Sequence, residues 1–439
     1  MSCWRRLRFG PAAVLVLAVV LLVLPGVASA AVRYAAPAGT GPAGSCPQAN
    51  PCSIEDAVEH ASVAAGDEVV LGNGDYNLTE TLTVGKNITV HGVTPGYTGS
   101  RIISEAEPSI FMIPTQAVVS DLTLIKSGDK GQGLGIANGL AERVQVIAPQ
   151  SIACELSSAD AGNAVIRNSI CSGGVYGVLA PATVVGIEFA VLDGVTAHTD
   201  GGEYSILALG ENDGQINLTA TNTVALGGTI ASIGASAEAG NSARADVSIS
   251  SSAYVTTMET GAITTLPAPG SGSNIAAAAV LANPAGRDFH QLPASPTIDA
   301  GVSGPNSGAL DWEAANRVQG PAIDIGADEA PDASKILALL GKKVKAKRTL
   351  RFEARCLSTA CGISGKAVVK PRGSKKKTRK LTPASAGQGE KTKLKTKLPK
   401  KLARQLKRKG GKVKVRATGF ANPVSFEQKV RKVYKVKKG

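Results

Sequence analysis

Aromatic residues are scarce in this sequence, because Phe, Trp and Tyr together make up 4% of its 439 residues. A buried core must therefore come mainly from Val, Ile, Leu and Ala, which suits stacked β-strands better than a helical bundle. Histidine is also rare, and no two cysteines have the Cys-x-x-Cys spacing. The sequence therefore lacks the clustered His and Cys residues that form structural zinc sites.

Basic residues are nearly absent from one part of the chain, and acidic residues from the other. Residues 31–333 contain 10 Lys and Arg against 31 Asp and Glu, a net charge of −21. Residues 334–439 contain 35 against 3, a net charge of +32. The net charge of +14 for the whole chain therefore averages two regions of opposite sign, and neither behaves as the average suggests.

Residues 1–30 have the pattern of a secretory signal peptide. Three arginines (Arg5, Arg6 and Arg8) precede an apolar run over residues 12–24, and Ala28-Ser29-Ala30 is a small-residue cleavage site. The apolar run is shorter than the roughly 20 residues that a membrane-spanning helix needs. We therefore predict a secreted protein, associated with the cell envelope and without a transmembrane segment in the mature chain.

Six cysteines remain after removal of residues 1–30, and they fall into three neighbouring pairs. An even number of cysteines in an exported chain predicts disulfides. The predicted bridges are Cys46–Cys52, Cys154–Cys171 and Cys356–Cys361. For the middle pair buried free thiols are the alternative, because bridging requires Cα atoms within about 7 Å.

A short motif recurs along the acidic region and predicts a solenoid. It consists of two polar or small residues before an apolar one, at intervals of 22 to 29 residues. A period in the twenties with one strand per copy is typical of coils that bury their faces on their neighbours. The copies are Ser120-Asp121-Leu122, Glu142-Arg143-Val144, Asn168-Ser169-Ile170, Asp193-Gly194-Val195, Asn222-Thr223-Val224 and Ser251-Ser252-Ala253.

A short helix is predicted before the first coil. Ser53-Ile54-Glu55-Asp56 resembles a capping box, and Ile54, Ala57, Val58 and Ala61 have the spacing of one apolar helical face. The first coil of a β-helix has an open edge and an open core, which invite pairing with a second chain. We predict that this helix covers both.

The stretch over residues 295–329 carries a specific motif. It begins SPTIDAG, continues through an acidic loop with Asn316-Arg317, and ends in DIGADE. It resembles the C-terminal segment of the choice-of-anchor Q proteins, which are secreted bacterial proteins built on a right-handed parallel β-helix of the pectin-lyase-like type. Where that family usually has Asp-x-Gly before the arginine, this chain has Asp311-Trp312-Glu313. The resemblance implies an all-β protein with a right-handed parallel β-helix over residues 31–330.

A pectin-lyase-like fold raises the question of carbohydrate cleavage. Hydrolases need two or three converging carboxylates, and lyases need calcium-binding carboxylates and a base. The candidates are Asp200, Glu203 and Asp213, because the stretch around Asp200 resembles the Asn-Thr-Asp-Gly of polygalacturonases. The other motifs of that family are missing, and the same residues suit coil turns. We favour a non-catalytic protein, with a polysaccharide lyase or glycoside hydrolase as the alternative.

A second acidic group consists of Asp299, Asp311, Asp324 and Asp328. These residues would supply part of a calcium site, which needs 6–8 oxygen ligands. The alternative is that they form turns whose carboxylates accept hydrogen bonds from backbone N–H groups. We favour the turns and predict no cofactor, with calcium as the open possibility.

The basic region is predicted to be a separate β domain. Residues 331–345 read as a linker, and residues 346–439 contain several stretches in which apolar and charged residues alternate, the pattern of half-buried strands. The region loosely resembles a small immunoglobulin-like module found at the ends of exported actinobacterial proteins, with a Cys-x4-Cys near its start.

The charge of the basic domain predicts an anionic partner, because it exceeds what solubility requires. Acidic cell-envelope polymers or polysaccharides are the favoured partner, and the protein's own acidic coils are a further possibility. Nucleic acid is disfavoured, because the aromatic residues do not interleave with the lysines. We predict an exported surface protein that is anchored by this domain and presents its coils to glycans or other surfaces. The candidate anion-binding residues are Lys375, Lys376, Lys377, Lys407, Arg408 and Lys409.

Overall fold

The computed structural model describes residues 30–436, except 114–115, 159–162, 184, 239–241, 262–263, 306, 333–335, 358–359, 388 and 422–425. The predicted signal peptide therefore lies, except for Ala30, outside the described residues. Within the described ranges, none of the helices combines the length and the apolar character needed to cross a membrane.

Short strands follow one another through the acidic region, as the recurring apolar stretches predict. The strands of one coil stack in parallel on those of the next. In chain order the elements are β1 (Val32–Ala35), α1 (Ile54–Glu59), β2 (Glu68–Leu71), β3 (Gly74–Leu78), β4 (Leu82–Val84), β5 (Thr89–Gly92), β6 (Ser100–Ser104), β7 (Ile110–Met112), β8 (Val118–Lys126), β9 (Gln132–Ile136), β10 (Gly139–Ala148), β11 (Ile152–Leu156), β12 (Ala164–Arg167), β13 (Ile170–Gly173), β14 (Tyr176–Ala182), β15 (Gly186–Asp193), β16 (Thr196–Thr199), β17 (Tyr204–Gly210), β18 (Gly214–Thr221), β19 (Val224–Leu226), β20 (Ala231–Ala237), β21 (Arg244–Ser250), β22 (Thr257–Thr260) and β23 (Thr264–Thr265).

The parallel pairing confirms the predicted β-helix. One sheet contains eight described strands in the order β22-β20-β17-β14-β11-β9-β7-β4, with each strand one coil away from its neighbour. Its register places Cys154 opposite Val178, and Val178 opposite Ile206. These side chains lie inside the coils, where Val, Ile, Leu and Ala dominate a continuous core. Stacking equivalent apolar residues therefore compensates for the shortage of aromatic side chains.

The recurring motif marks a corner of each coil. At this corner one residue of every copy has a positive φ, a backbone conformation that Gly, Asn and Asp tolerate better than most residues. These corner residues are Asp121, Arg143, Asn168, Gly194, Asn222 and Ser251.

The apolar residues of the motif do not all share one face. Val144 pairs with Leu122 and lies in the core of the coils, whereas Ile170 pairs with Gln145 and points outward. An offset of one residue in a strand moves its side chain to the other face. Val195 is therefore inside, while Val224 and Ala253 join Ile170 outside.

The predicted helix forms, but the free edge of β1 is covered by the loop that contains Cys52, which bonds to Tyr34 and Ala36, and not by the helix. Ser53 is the N-cap of α1, and its side chain accepts a hydrogen bond of 3.1 Å from the backbone N–H of Asp56. Ile54, Ala57 and Val58 are buried against the coils. The helix therefore covers the start of the core with its apolar face.

All three predicted disulfides are present, with Cα–Cα distances of 5.1, 5.8 and 5.6 Å in chain order. Cys154 lies on β11 and Cys171 on β13, and both are fully buried inside the same core. The alternative of free thiols at this pair is therefore wrong. The chain turns a corner between the two strands, and this brings the sulfur atoms together.

Residues 281–330, which we call the strap, run back along the outside of the coils. The strap begins with β24 (Leu281–Asn283), a 3-10 turn at Pro284–Gly286 and β25 (Asp288–Gln291). It covers the outward-facing apolar residues of the coils and forms a second core with them. The buried members of this core are Ile170, Val224, Ala253, Ala279, Leu281, Phe289, Trp312, Ile325 and Ala327.

Two corner asparagines attach the strap. Asn168 donates hydrogen bonds of 2.8 Å to the carbonyls of Ser307 and Leu310. Asn222 donates to the carbonyl of Val302 at 3.0 Å and accepts from its N–H at 2.8 Å. Asparagine therefore serves two purposes at these corners, since it tolerates positive φ and pairs with the strap main chain.

The basic region is a domain of two β-sheets. One described sheet has the order β26-β28-β32, and the other β27-β34-β33-β29-β30 with β31 beside β29. Their inner faces enclose a separate core that contains Phe352 and Tyr434. Strands β26 and β27 lie within residues 331–345, the range predicted to be a linker. The elements are β26 (Leu337–Leu339), β27 (Lys343–Val344), β28 (Thr349–Cys356), β29 (Cys361–Pro371), β30 (Lys377–Lys380), β31 (Ala384–Ala386), β32 (Lys391–Lys397), α2 (Lys400–Lys409), β33 (Gly411–Ala421) and β34 (Glu427–Val436).

Candidate functional site

The larger sheet of the basic domain has a cationic outer face. In β33 the apolar residues Val413 and Val415 point into the core, so the alternating Lys412, Lys414 and Arg416 point outward. The same alternation operates in β29, where Ala367 and Val369 are buried. Each strand therefore contributes a line of cations to one surface.

Strand register assembles these cations into two rows across the sheet. Lys412 pairs with Lys370 on one side and Lys435 on the other, which gives the first row. Side chains directly opposite each other on neighbouring strands lie about 5 Å apart at Cβ, and like charges at this distance repel. A bound polyanion would relieve that repulsion. The second row consists of Lys380, Lys366, Arg416 and Arg431.

The first row borders a concave site of about 720 Å³ at one end of the domain. None of the described residues that line this cavity is a carboxylate, and its volume is within the range of ligand pockets, about 300–1,000 Å³. The cavity lies where β29 ends and β33 begins, because Pro371 pairs with Gly411. Its basic lining residues are Lys370, Arg372, Lys409, Lys412 and Lys435.

The structure brings the two predicted lysine clusters to this end. Lys407, Arg408 and Lys409 form the last turn of α2, and Lys409 lines the cavity. The other cluster follows the end of β29, where Lys375 and Lys376 precede β30. Lys377 is the first residue of β30.

The smaller sheet also has a basic outer face. Arg351 pairs with Lys395 and Arg355 with Lys391, while Glu353 opposite Lys393 supplies an acidic side chain. The cavity on this side measures about 670 Å³ and is bordered by Glu353. The larger sheet is therefore the better candidate for a polyanion, because the described residues of its two rows and its cavity include no carboxylate.

The structure does not bring Asp200, Glu203 and Asp213 together. Asp200 and Glu203 lie in the corner before β17, and Asp213 lies beyond the opposite end of that strand. Seven strand residues, Tyr204–Gly210, separate the two positions by about 23 Å. Catalytic carboxylates of glycosidases are typically about 5 to 10 Å apart. Asp213 instead accepts a hydrogen bond of 2.6 Å from the N–H of Ser242.

Sequence reasoning did not select a buried carboxylate in the coils, Glu188 on β15. It is 6% exposed, and among the described residues its Oε2 atom has no hydrogen-bond partner. Burial, together with the charge of Glu155, raises the pKa of Glu188 to about 7. Glu188 is a single polar residue in an apolar strand, so no sequence pattern distinguishes it.

Three of the four calcium candidates, Asp311, Asp324 and Asp328, are buried in the strap. Asp324 accepts hydrogen bonds of 2.7 Å from the backbone N–H groups of Asp299 and Ala330. Asp311 accepts one of 2.8 Å from the N–H of Ala315. The carboxylates thus accept bonds from backbone groups, as the turn interpretation predicts, while Asp299 has its side chain at the surface.

Burial of these carboxylates makes their charged forms less favourable. Burial, with a contribution from Asp328, raises the pKa of Asp311 to about 8, and burial likewise raises the pKa of Asp324. Arg317, which is 1% exposed, lies among them and donates from Nη2 to the carbonyls of Asp324 and Gly326 at 3.0 and 2.7 Å. Arg317 and the DIGADE part of the motif thus form one buried polar network.

A histidine joins this network at a place the sequence did not indicate. His290 of β25 has ligand atoms of Glu313 and Asp328 nearby, and the ligand atoms of the three residues all lie within 4.8 Å of one another. Burial lowers the pKa of His290, but Glu313 and Asp328 raise it more, to about 9. The residues are too far apart in sequence to be recognised as a ligand motif.

These features define a parallel β-helix protein whose flank is covered by a strap and whose C-terminal domain carries a cationic sheet face. No protein-family model matches this chain, and no curated protein matches it at a significant level.

Proposed function

We propose that this is an exported, non-catalytic surface protein that its basic domain holds on anionic polymers of the cell envelope. The observation that carries the proposal is the pair of cation rows on the larger sheet, which ends in a cavity without carboxylates. Binding of a polyanion to such a surface releases condensed counterions, so the affinity falls as salt rises. Lys370, Lys412 and Lys435 form the row closest to the cavity.

The origin and location of the protein are part of the same proposal. The SPTIDAG and DIGADE elements of residues 295–329 resemble those of the choice-of-anchor Q proteins, and this resemblance supports export by way of the signal in residues 1–30. The parallel β-helix and the three disulfides agree with an extracellular protein, because disulfides persist in oxidising surroundings. Lyase or hydrolase activity is not favoured, since Asp213 lies far from Asp200 and Glu203.

The coils present their outer surface to glycans or other surfaces in this scheme. Tyr176 and Tyr204 lie side by side on neighbouring coils, with ring centroids 6.3 Å apart. Such rings offer a flat apolar face together with a hydroxyl group for hydrogen bonding. They support a glycan-presenting role for the coils.

The test measures the salt dependence of binding by the mature full-length chain. Immobilised polyphosphate serves as a polymer of defined charge, and purified cell walls serve as the native mixture. Replacing Lys370, Lys412 and Lys435 with glutamine should make the slope of log affinity against log salt shallower by about 2 to 3, at about 0.7–0.9 per neutralised phosphate. Variants of the 375–377 and 407–409 clusters should also flatten the slope.

The matched control replaces Lys391, Lys393 and Lys395 on the smaller sheet with glutamine. It removes the same number of charges and should leave the slope unchanged. An equal effect of both triple variants would show that net charge alone, rather than the row beside the cavity, determines binding. No retention of the wild-type protein at low salt would overturn the proposal, and would favour neutralisation of the basic domain by the protein's own coils.

A further inference from the structure

Three segments of the strap meet at His290, Glu313 and Asp328. His290 belongs to β25, Glu313 follows Trp312 in the acidic loop, and Asp328 belongs to DIGADE. One nitrogen and two carboxylate oxygens from these residues lie within 4.8 Å of one another. This spacing is compatible with one ion at a metal–ligand distance of about 2.0–2.2 Å from each atom, after small movements of the side chains.

His290 is oriented as metal-binding histidines are. Its Nδ1 lies 2.5 Å from Oδ1 of Asp288, and this carboxylate fixes the ring with Nε2 facing Glu313 and Asp328. A histidine that binds a metal through one nitrogen usually pairs the other with a carboxylate or carbonyl in this way. Asp288 therefore orients the ring of His290 without binding the ion itself.

The Nε2 atom of His290 lacks a hydrogen-bond partner among the described residues. Glu313 Oε1 lies 3.0 Å from this atom, which is an ion-pair distance. The histidine is only 6% exposed, so water does not readily satisfy this nitrogen. This buried nitrogen therefore faces the carboxylates of Glu313 and Asp328 rather than solvent.

The other two residues supply an ordered ligand and an entry path. Asp328 is 4% exposed and is held by the N–H of Gln291 at 2.6 Å and by Trp312 Nε1 at 3.3 Å. Glu313 has a side chain that is 33% exposed, so an ion can reach the group from solvent. Trp312 stacks on Tyr97 of the coils at 4.1 Å, which fixes the residue next to Glu313.

We infer that His290, Glu313 and Asp328 bind one divalent transition-metal ion of the zinc class, with Asp288 orienting the histidine and solvent completing the coordination. One imidazole nitrogen with two carboxylate oxygens suits zinc and its first-row neighbours. Calcium prefers 6–8 oxygen ligands, which these three residues do not provide. The bound ion links three segments of the strap and thereby stabilises it. The inference rests on the strap alone and is independent of the proposed anchoring function.

The test is titration of the untagged mature protein with Zn²⁺ after treatment with a chelator. We expect one ion per chain by calorimetry, with Ca²⁺ unable to compete at equal concentration. His290→Gln and Glu313→Gln should each weaken Zn²⁺ binding by about 100-fold or more, and Asp288→Asn by about 10- to 100-fold. Cobalt substitution provides a spectroscopic readout, because the absorption of the bound ion reports its coordination geometry.

His91→Gln is the matched control. His91 also pairs with a carboxylate, since its Nε2 lies 2.8 Å from Glu68, but among the described residues no second carboxylate completes a ligand group there. This variant should bind Zn²⁺ as the wild type does. If His290→Gln fails to fold, Glu313→Gln tests the same site from its exposed side. Absence of Zn²⁺ binding by the wild type, or equal binding by Glu313→Gln, would overturn the inference and leave His290 as an ion-paired imidazolium.

Discussion

Glu188 allows a quantitative prediction, because a carboxyl group lies where the coil core expects an apolar side chain. Glu188, Ala190 and Leu192 lie on the same face of β15, and the last two are buried. On the neighbouring strand Glu188 pairs with the buried Ile216. Residues on one face of a strand share its environment. Glu188 therefore points toward the core, where ionisation is unfavourable.

The magnitude follows from the difference in proton affinity between the folded and unfolded states. The pKa of Glu188 is about 7 in the folded protein, against an ordinary value of 4.5. Between these values the folded state binds more protons than the unfolded state, so stability decreases as pH rises. At 1.36 kcal/mol per pH unit, the loss amounts to about 3 kcal/mol by neutral to alkaline pH. This loss of stability is absent at a pH below the pKa of Glu188 in the unfolded chain, because the group is then protonated in both states.

Glu188→Gln removes the ionisation while keeping the shape of the side chain. The difference in the free energy of unfolding between this variant and the wild type should grow in favour of the variant by up to about 3 kcal/mol from pH 4.5 to pH 8. Urea denaturation at several pH values measures this difference, with the fluorescence of the buried Trp312 as the probe. Glu203→Gln, at an exposed corner, should stay within about 0.5 kcal/mol of the wild type throughout. A constant difference between Glu188→Gln and the wild type across this range would refute the reasoning.

The covalent and polar attachments of the coils give two further predictions. Replacing Cys154 and Cys171 with alanine should lower the free energy of unfolding by about 3 kcal/mol, because the bridge closes a loop with a sequence separation of 17. The same change at Cys46 and Cys52, separated by 6, should cost about 2 kcal/mol in urea denaturation, and the opposite order would contradict the loop argument. Asn222→Gly keeps the positive φ but removes the side-chain bonds to the strap, and should destabilise the strap by about 1–3 kcal/mol. Amide hydrogen exchange measures this as faster exchange in the strap, and unchanged exchange there would show that the asparagine does not hold it.

The architecture of the coils was predictable, because it depends on local signals that repeat. The recurring corner motif indicated the β-helix, and the neighbouring cysteines indicated all three disulfides. The side on which each apolar residue lies was not predictable, because a one-residue offset at the corner turns Ile170 outward. That offset exposes the apolar surface that the strap covers.

At the candidate sites, contacts between residues far apart in the sequence could not be predicted. Asn168 contacts Ser307, a residue 139 positions away, and nothing local to either residue indicates this. Alternation in the basic domain predicted outward-facing lysines, but only the strand register shows that Lys412 lies between Lys370 and Lys435. The separation of Asp200 and Asp213 was visible in principle, because an apolar strand lies between them. Anion binding, calcium binding and export remain predictions.

The course of the strap has a mechanical consequence. The strap contacts Asn222 through Val302, then Asn168 through Ser307, and then Tyr97 through Trp312, and it returns to Asn222 through the N–H of Gly326 before it leads into the basic domain. If that domain is held on a polymer, tension enters the coils through the strap rather than through the last coil. The bonds of Gly326 to Asn222 and of Ala327 to Thr196 then carry the load first, and they hold two neighbouring coils at once.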